Sequence, residues 1–109
     1  MKISNLPFGT IDWSKVERTR HEGETGHAEW RTQTFGDVRL RFVEYSSGYV
    51  ADHWCQKGHF LFCLEGELKT ELADGRVFVL KPGMSYQVAD GTDPHKSSTE
   101  SGAKLLIID

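Results

Sequence analysis

The sequence has few of the features that mark secreted, membrane-spanning or nucleic-acid-binding proteins. Two cysteines among 109 residues exclude a disulfide-rich scaffold. No apolar run is long enough to cross a bilayer, and the first ten residues lack the apolar core of a secretory signal. The net charge of −3 leaves no excess of basic residues for a phosphate backbone. We therefore expect a cytoplasmic protein with reduced cysteines that binds neither nucleic acid nor membrane.

A chain of this length forms one domain, which we divide into an N-terminal arm and a β-rich body. Residues 1–28 show no clean periodicity and predict an arm that lies against the body. Residues 29–109 consist almost entirely of short strand patterns separated by glycine, proline and aspartate turns, which predicts an all-β barrel or sandwich. The apolar residues available to anchor the arm are Phe8, Ile11, Trp13 and Val16.

Several segments of the body show clear strand patterns. Residues 67–72 alternate apolar and polar side chains, which is typical of a half-buried strand. Residues 60–64 are all apolar and predict a strand buried on both faces. The Asp74-Gly75 pair predicts a tight hairpin. The predicted strands are residues 38–43, 60–64, 67–72, 77–80 and 103–108.

The strand at residues 38–43 has one apolar and one basic face, which must be assigned to the inside and the outside. If its apolar side chains point inward, Arg39 and Arg41 face solvent, and this is the simpler interpretation. Glu44 then either follows the apolar side chains inward as a pocket acid or lies outside near the strand end. The alternative is that the two arginines form an anion-binding face inside the barrel.

The segment at residues 52–59, Asp-His-Trp-Cys-Gln-Lys-Gly-His, places two imidazoles and a thiol close together. Imidazole and thiolate bind transition metals strongly. Because side chains alternate along a strand, His53 and Cys55 point to one face. The three-residue loop that follows predicts a hairpin with Cys55 opposite His59. His95, in a turn-rich segment, is a fourth candidate that needs a tertiary contact to join them.

The other cysteine, histidines and tryptophans are predicted to pack or to face solvent. Cys63 is expected in the core, and in the predicted register it lies too far from Cys55 for a disulfide. His21 and His27 are expected to be solvated in the polar arm. The tryptophans expected to pack in the core or between subunits are Trp13, Trp30 and Trp54.

Residues 48–66 resemble the first sequence motif of the cupin superfamily, G-x5-H-x-H-x3,4-E-x6-G. His53 stands at the first His of the motif, Cys55 replaces the second His, and His59 replaces the Glu. Gly48 is one residue closer to the first His than the motif requires.

Residues 83–99 resemble the second cupin motif, G-x5-P-x-G-x2-H-x3-N. His95 stands at the His, Ala89 at the Pro and Thr99 at the Asn, and the loop is one residue longer. More narrowly, the Asp-His-Trp-Cys sequence at residues 52–55 resembles the small bacterial proteins called DHCW-motif cupins.

The resemblance implies a single-domain cupin fold, a double-stranded β-helix or jelly-roll barrel, with the arm at its N-terminus. It also implies a homodimer, which would cover edge strands and exposed aromatic residues. The expected cofactor is one divalent transition-metal ion per chain. The implied metal ligands are His53, Cys55, His59 and His95.

The ligand types favour zinc, with iron or nickel as alternatives. Four protein ligands around tetrahedral zinc make a closed structural site, whereas an octahedral ion leaves positions for water or substrate. We therefore predict a small metal-binding cupin of undetermined activity. The alternative is a metal-dependent enzyme, of oxygenase or isomerase type, that acts on a small polar or carboxylated molecule in the barrel. The motifs name no catalytic base, and a barrel with a vestigial site is a third hypothesis.

Overall fold

The structure, a computed structural model, describes residues 3–109. That range contains nine β-strands and one short 3-10 helix, Trp13–Lys15. None of its helices has the length and apolar composition needed to cross a membrane. The strands are β1 (Arg18–Glu22), β2 (His27–Phe35), β3 (Val38–Tyr45), β4 (His59–Gly66), β5 (Leu68–Leu72), β6 (Val77–Leu80), β7 (Ser85–Val88), β8 (His95–Ser98) and β9 (Ala103–Ile108).

The strands form two antiparallel sheets. The larger sheet has the order β1-β2-β3-β9-β4-β7, and the smaller sheet has the order β6-β5-β8. Buried residues of both sheets form one apolar cluster, to which Leu61 and Leu105 contribute from the larger sheet and Leu68 and Leu80 from the smaller. The core therefore lies between the sheets, and the predicted all-β architecture is confirmed.

Local sequence patterns predicted several elements correctly. Residues 38–43 lie in β3, and residues 103–108 are β9. The predicted hairpin joins β5 to β6, and Gly75 has the positive φ of 96° that its turn requires. Cys63 is fully buried, and both cysteines are free thiols, as expected.

The prediction that residues 60–64 are buried on both faces is wrong. The strand alternates between buried and exposed positions, with Leu61 and Cys63 inside. Phe60, Phe62 and Leu64 point away from the core and are exposed. An uninterrupted apolar run conceals this alternation, because it looks the same whether one face or both are covered by protein.

The simpler assignment of the faces of β3 is also wrong. Val43 pairs with Leu105 of β9, and Arg41 pairs with Ile107, so both side chains share the buried face of the sheet. Arg41 is buried, whereas Glu44 is exposed and is not a pocket acid. The pairing of β3 with β9 decides which face is inside, and the alternation within β3 carries no information on that pairing.

The predicted hairpin between Cys55 and His59 does not form. Cys55 instead makes an isolated antiparallel bridge with His95. The intervening loop is held by another loop, since the Gly58 N–H donates to the Asp90 carboxylate at 2.6 Å. A Cβ on Gly58 would lie 2.7 Å from the backbone nitrogen of Asp90, so glycine allows close approach here rather than a hairpin turn.

The segment predicted as an arm contains a strand of the larger sheet, because β1 pairs with β2. Trp13 packs edge-on against Phe42, with ring centroids 4.7 Å apart. Phe8 is almost fully exposed, so its prediction as an anchor is wrong. His21 is half-buried rather than solvated, because its ring stacks on Trp30 at a centroid distance of 3.6 Å.

Candidate metal centre

Two of the candidate ligands are fixed to one another through the backbone. The N–H of Cys55 donates to the carbonyl of His95 at 2.7 Å, and the N–H of His95 donates to the carbonyl of Cys55 at 3.0 Å. This bridge places the thiol beside the first residue of β8. His59 begins β4 in the other sheet and pairs with Val88. The candidate centre therefore draws its side chains from both sheets.

The side chains of Cys55, His59 and His95 converge on one point. One ligand atom from each residue lies within 4.8 Å of the others. The two imidazole rings are nearly perpendicular, with an interplanar angle of 89° and centroids 4.9 Å apart. Both histidines are buried and the cysteine is partly buried. The three donors are close enough together to be candidates for the ligands of one ion.

The hydrogen bonds of the two imidazoles leave one nitrogen of each ring for a ligand. His95 donates from Nδ1 to the carbonyl of Asp93 at 2.9 Å, which leaves the lone pair on Nε2. Nε2 of His59 lies 2.9 Å from the Tyr86 hydroxyl, so Nδ1 is the ring nitrogen that this hydrogen bond does not use. The nitrogens His59 Nδ1 and His95 Nε2 are buried and lack a hydrogen-bond partner. The residues fit a metal ion chemically, because each imidazole keeps a buried nitrogen whose desolvation a cation could offset.

The surroundings of His59 favour a neutral imidazole. Burial, together with the charges of His95 and Arg41, lowers the pKa of His59 to about 4. Burial raises the pKa of the Tyr86 hydroxyl beside it, so the phenol is also neutral. A neutral imidazole whose second nitrogen is hydrogen-bonded is the form that binds metal.

His53, the remaining predicted ligand, is outside this cluster. Its side chain is 72% exposed, and its Nδ1 lies 2.6 Å from the carboxylate of Asp52. The failure of the predicted hairpin explains this placement, since His53 has no strand partner to direct it inward. Its role as a ligand stays a prediction.

A charge cluster around the buried carboxylate of Asp109 adjoins the candidate centre. Arg39 and Asp109 pair through their backbones, and Arg39 makes two hydrogen bonds of 2.9 Å to the Asp109 carboxylate. Arg41 adds a third at 3.1 Å, and Lys57 lies 3.8 Å away. Although burial opposes it, the hydrogen bonds from Arg39 and the charges of Arg41, Arg39 and Lys57 hold the pKa of Asp109 below its usual value. His59 lies next to Asp109 on the inner face of the sheet.

Sequence reasoning missed two of the residues around the centre. Asp109 was detectable, because Leu105 and Ile107 are the inward side chains of β9 and Asp109 continues their alternation. Tyr86 had no local signal, since it reaches His59 only through the pairing of β4 with β7.

A cleft of about 330 Å³ lies beside the candidate centre, and His95 is one of its lining residues. Residues of β5, β6, β7 and β8 line it, Tyr86 among them. Thr70 also lines it and has a buried hydroxyl without a hydrogen-bond partner. The lining further includes the apolar Phe78 and the charged Arg76 and Asp93. The cleft is within the size range of small-molecule sites.

No family model matches the sequence. No curated protein matches it by sequence either.

Solved structures do match the fold. The polyketide cyclase RemF from Streptomyces resistomycificus superposes with a TM-score of 0.78 and 20% identity, covering 94% of this chain and 78% of that one. A predicted oxalate decarboxylase from Thermotoga maritima gives a TM-score of 0.76 and 15% identity, covering 92% of this chain and 96% of that one. A sugar phosphate isomerase of the cupin superfamily from Silicibacter pomeroyi gives a TM-score of 0.72 and 15% identity. The match covers 92% of this chain and 74% of that one. The chain therefore has the cupin fold.

Proposed function

We propose that this protein is a small metal-binding cupin that holds one divalent transition-metal ion on Cys55, His59 and His95. The observation that carries the proposal is the clustering of the three side chains, in which one ligand atom of each residue lies within 4.8 Å of the others. In addition, one nitrogen of each imidazole is buried without a hydrogen-bond partner. Leaving such groups empty costs free energy that a bound ion would recover. The Asp-His-Trp-Cys sequence and this cluster together support assignment to the DHCW-motif cupins.

Zinc is the proposed metal, with iron and nickel as alternatives, because thiolate and imidazole ligands suit all three. Three protein ligands leave a coordination position for water or a bound molecule, whereas four would close a tetrahedral site. A metal in such an open site polarises a bound carbonyl or acidifies a bound water. A thiolate ligand also requires a reduced cysteine, so we place the protein in the cytoplasm.

The second candidate function is a metal-dependent enzyme that acts on a small carboxylated molecule. The charge cluster supports it, because Arg39, Arg41 and Lys57 all lie within 4 Å of the side-chain carboxylate of Asp109. An additional anion bound near these cations would be stabilised. The cleft that His95 helps to line is large enough for a small metabolite.

The first experiment is metal analysis of untagged protein purified without chelator. Wild type should carry about one metal ion per chain, and Cys55→Ser and His95→Gln should each lower metal affinity at least about tenfold, since each removes a ligand. Cys63→Ser is the matched control, because it changes a thiol that lies outside the cluster. Full occupancy in both ligand variants would refute the proposal. His53→Ala distinguishes a site of three protein ligands from one of four that includes His53. Only the four-ligand site would lose metal affinity in this variant.

The metal-loaded protein also tests the enzyme hypothesis. With cobalt in place of the native metal, small carboxylates should change the visible absorption spectrum if they bind at an open position. Arg41→Gln should weaken that response without changing the metal content. If no carboxylate changes the spectrum, the enzyme hypothesis is refuted and the metal-binding function still stands.

A further inference from the structure

The two sheets meet along two seams, which differ in how the backbone joins them. On one side the end strands are β1 and β8, and Val50 makes isolated bridges to Thr25, which follows β1, and to Ser98 of β8. On the other side the end strands are β6 and β7, and no isolated bridge among residues 3–109 joins them. The cleft of about 330 Å³ is lined by residues of both β6 and β7. It therefore lies at the seam that the backbone leaves unbridged.

This seam exposes an aromatic ring that belongs to the inner face of the smaller sheet. Phe78 of β6 pairs with Thr70 of β5, so the two side chains lie on the same face. Thr70 is 2% exposed, whereas Phe78 is 49% exposed. The inner face of a sheet is ordinarily covered by the sheet that packs on it. Because this part of the face is not covered, Phe78 offers apolar surface to the cleft, together with Leu72 and Val88.

The charges of the lining neutralise one another. Among the described residues that line the cleft, the arginine and the carboxylate are Arg76 and Asp93, whose side chains lie 3.5 Å apart. Arg76 also pairs with Asp74 at 2.8 Å. Burial raises the pKa of the Tyr86 phenol, which keeps this lining group neutral. A charged ligand would lose hydration here without a free counter-charge, so the lining favours an uncharged molecule.

The hydroxyl of Thr70 gives the cleft a means to select among uncharged molecules. This hydroxyl is buried and has no hydrogen-bond partner within residues 3–109. A hydroxyl can both donate and accept, so it would bond equally to a hydroxyl or to a carbonyl group. Such a bond recovers the free energy that burial of an unpaired hydroxyl costs.

The volume of the cleft sets the size of the molecule. An apolar cavity of about 150 Å³ is sufficient for benzene. The cleft, of about 330 Å³, therefore has room for a substituted aromatic ring.

We propose that the cleft binds an uncharged small molecule with an apolar body, such as a substituted aromatic ring, and one hydroxyl or carbonyl group that bonds to Thr70. The proposal goes beyond metal binding and does not rest on it, because Thr70 and Phe78 are not candidate metal ligands. It also names a different class of molecule from the carboxylate of the second candidate function.

The test is the binding of benzyl alcohol to the whole chain, followed by the amide resonances of nitrogen-15-labelled protein. Titrations are made on metal-loaded and on chelator-treated protein. Wild type should bind benzyl alcohol with a Kd of about 1 mM or lower in both samples, with shifts at residues that line the cleft. Benzoate, which has a similar size and a charge, should bind at least about tenfold more weakly.

Variants test the two contacts separately. Thr70→Val replaces the hydroxyl with a methyl group and should weaken benzyl alcohol at least about fivefold, while the binding of toluene changes less than about twofold. Thr70→Ser keeps the hydroxyl and should retain most of the affinity for benzyl alcohol. Phe78→Ala should weaken both molecules, and the matched control Val79→Ala, at a residue 44% exposed on the outer face, should weaken neither. Circular dichroism verifies folding.

Four results would overturn the proposal. They are no binding of benzyl alcohol at about 20 mM, shifts confined to residues outside the cleft, an affinity that Thr70→Val and Phe78→Ala leave unchanged, and benzoate binding as tight as that of benzyl alcohol. Binding seen only with metal would make the cleft part of the metal site, and the proposal of a separate site would fail. Absence of metal uptake would refute the metal-binding function and leave these expectations for chelator-treated protein unchanged.

Discussion

Each face of the larger sheet departs in one region from the pattern of an ordinary half-buried sheet, in which the inner face is apolar and the outer face is polar. Toward one end of the inner face, Arg39, Arg41 and Asp109 form a charge cluster beside His59. The middle of the outer face is apolar and exposed, with Phe60 and Phe62 at its centre. A buried ion pair adds little net stability compared with apolar packing. The comparison shows that part of the interior is given over to a polar site, while apolar surface remains outside.

The largest expected effect comes from removing the carboxylate at the centre of the inner charge cluster. Asp109→Ala leaves Arg41 buried without its anion, and we expect a loss of about 4 kcal/mol in the free energy of unfolding. Urea denaturation, with Glu44→Ala as the control on the outer face, measures the difference. An equal loss of unfolding free energy in both variants would show that the inner charge cluster is no more sensitive than the outer face.

The next effect compares neighbours on one strand. Leu61 is fully buried and Phe62 is exposed on the opposite face of β4. Leu61→Ala should lower the free energy of unfolding by about 3 kcal/mol through the cavity it creates. Phe62→Ala should cost less than about 1 kcal/mol at concentrations where the protein is monomeric. Denaturant midpoints at low protein concentration check this, and similar losses would mean that both faces are packed within a single chain.

The smallest effect is a pH dependence that originates at His21 on the inner face. Burial and the nearby charge of Arg41 lower the pKa of His21, so the folded state prefers the neutral ring. The unfolded chain then binds more protons, and the free energy of unfolding falls as the pH drops below about 6.5. His21→Asn should reduce this fall, measured by urea midpoints at about pH 7.5 and about pH 5.5. An unchanged pH dependence would show that His21 is as well solvated as in the unfolded chain.

The sequence was sufficient for elements whose signal is local. The Asp74-Gly75 turn and the alternation in residues 38–43 each depend on neighbours in the chain, and the structure contains both. Which side of β3 faces inward depends on its pairing with β9, and a period of two is the same for either choice. The strand β1 was not predicted because its sequence, Arg-Thr-Arg-His-Glu, is polar throughout.

The candidate site also combines features that have a local sequence signal with features that depend on long-range pairing. The cupin resemblance implied four ligands, of which the structure brings Cys55, His59 and His95 together and leaves His53 outside the cluster. The route by which they meet was not predictable, because Cys55 joins His95 through long-range backbone pairing instead of a local hairpin. Arg41 and Asp109 lie beside them because of the register between β3 and β9, which no local pattern encodes.

The bridge between Cys55 and His95 has a consequence for the order of folding. Two backbone hydrogen bonds join segments that are separated in the chain by β4 through β7. Closing so long a loop costs entropy that is recovered only when the intervening strands have paired. We therefore expect the three ligand side chains to come together late, after most of the barrel has formed. A metal ion that required all three would bind the finished fold and not its nascent segments, which would make metal uptake a sensitive reporter of correct folding.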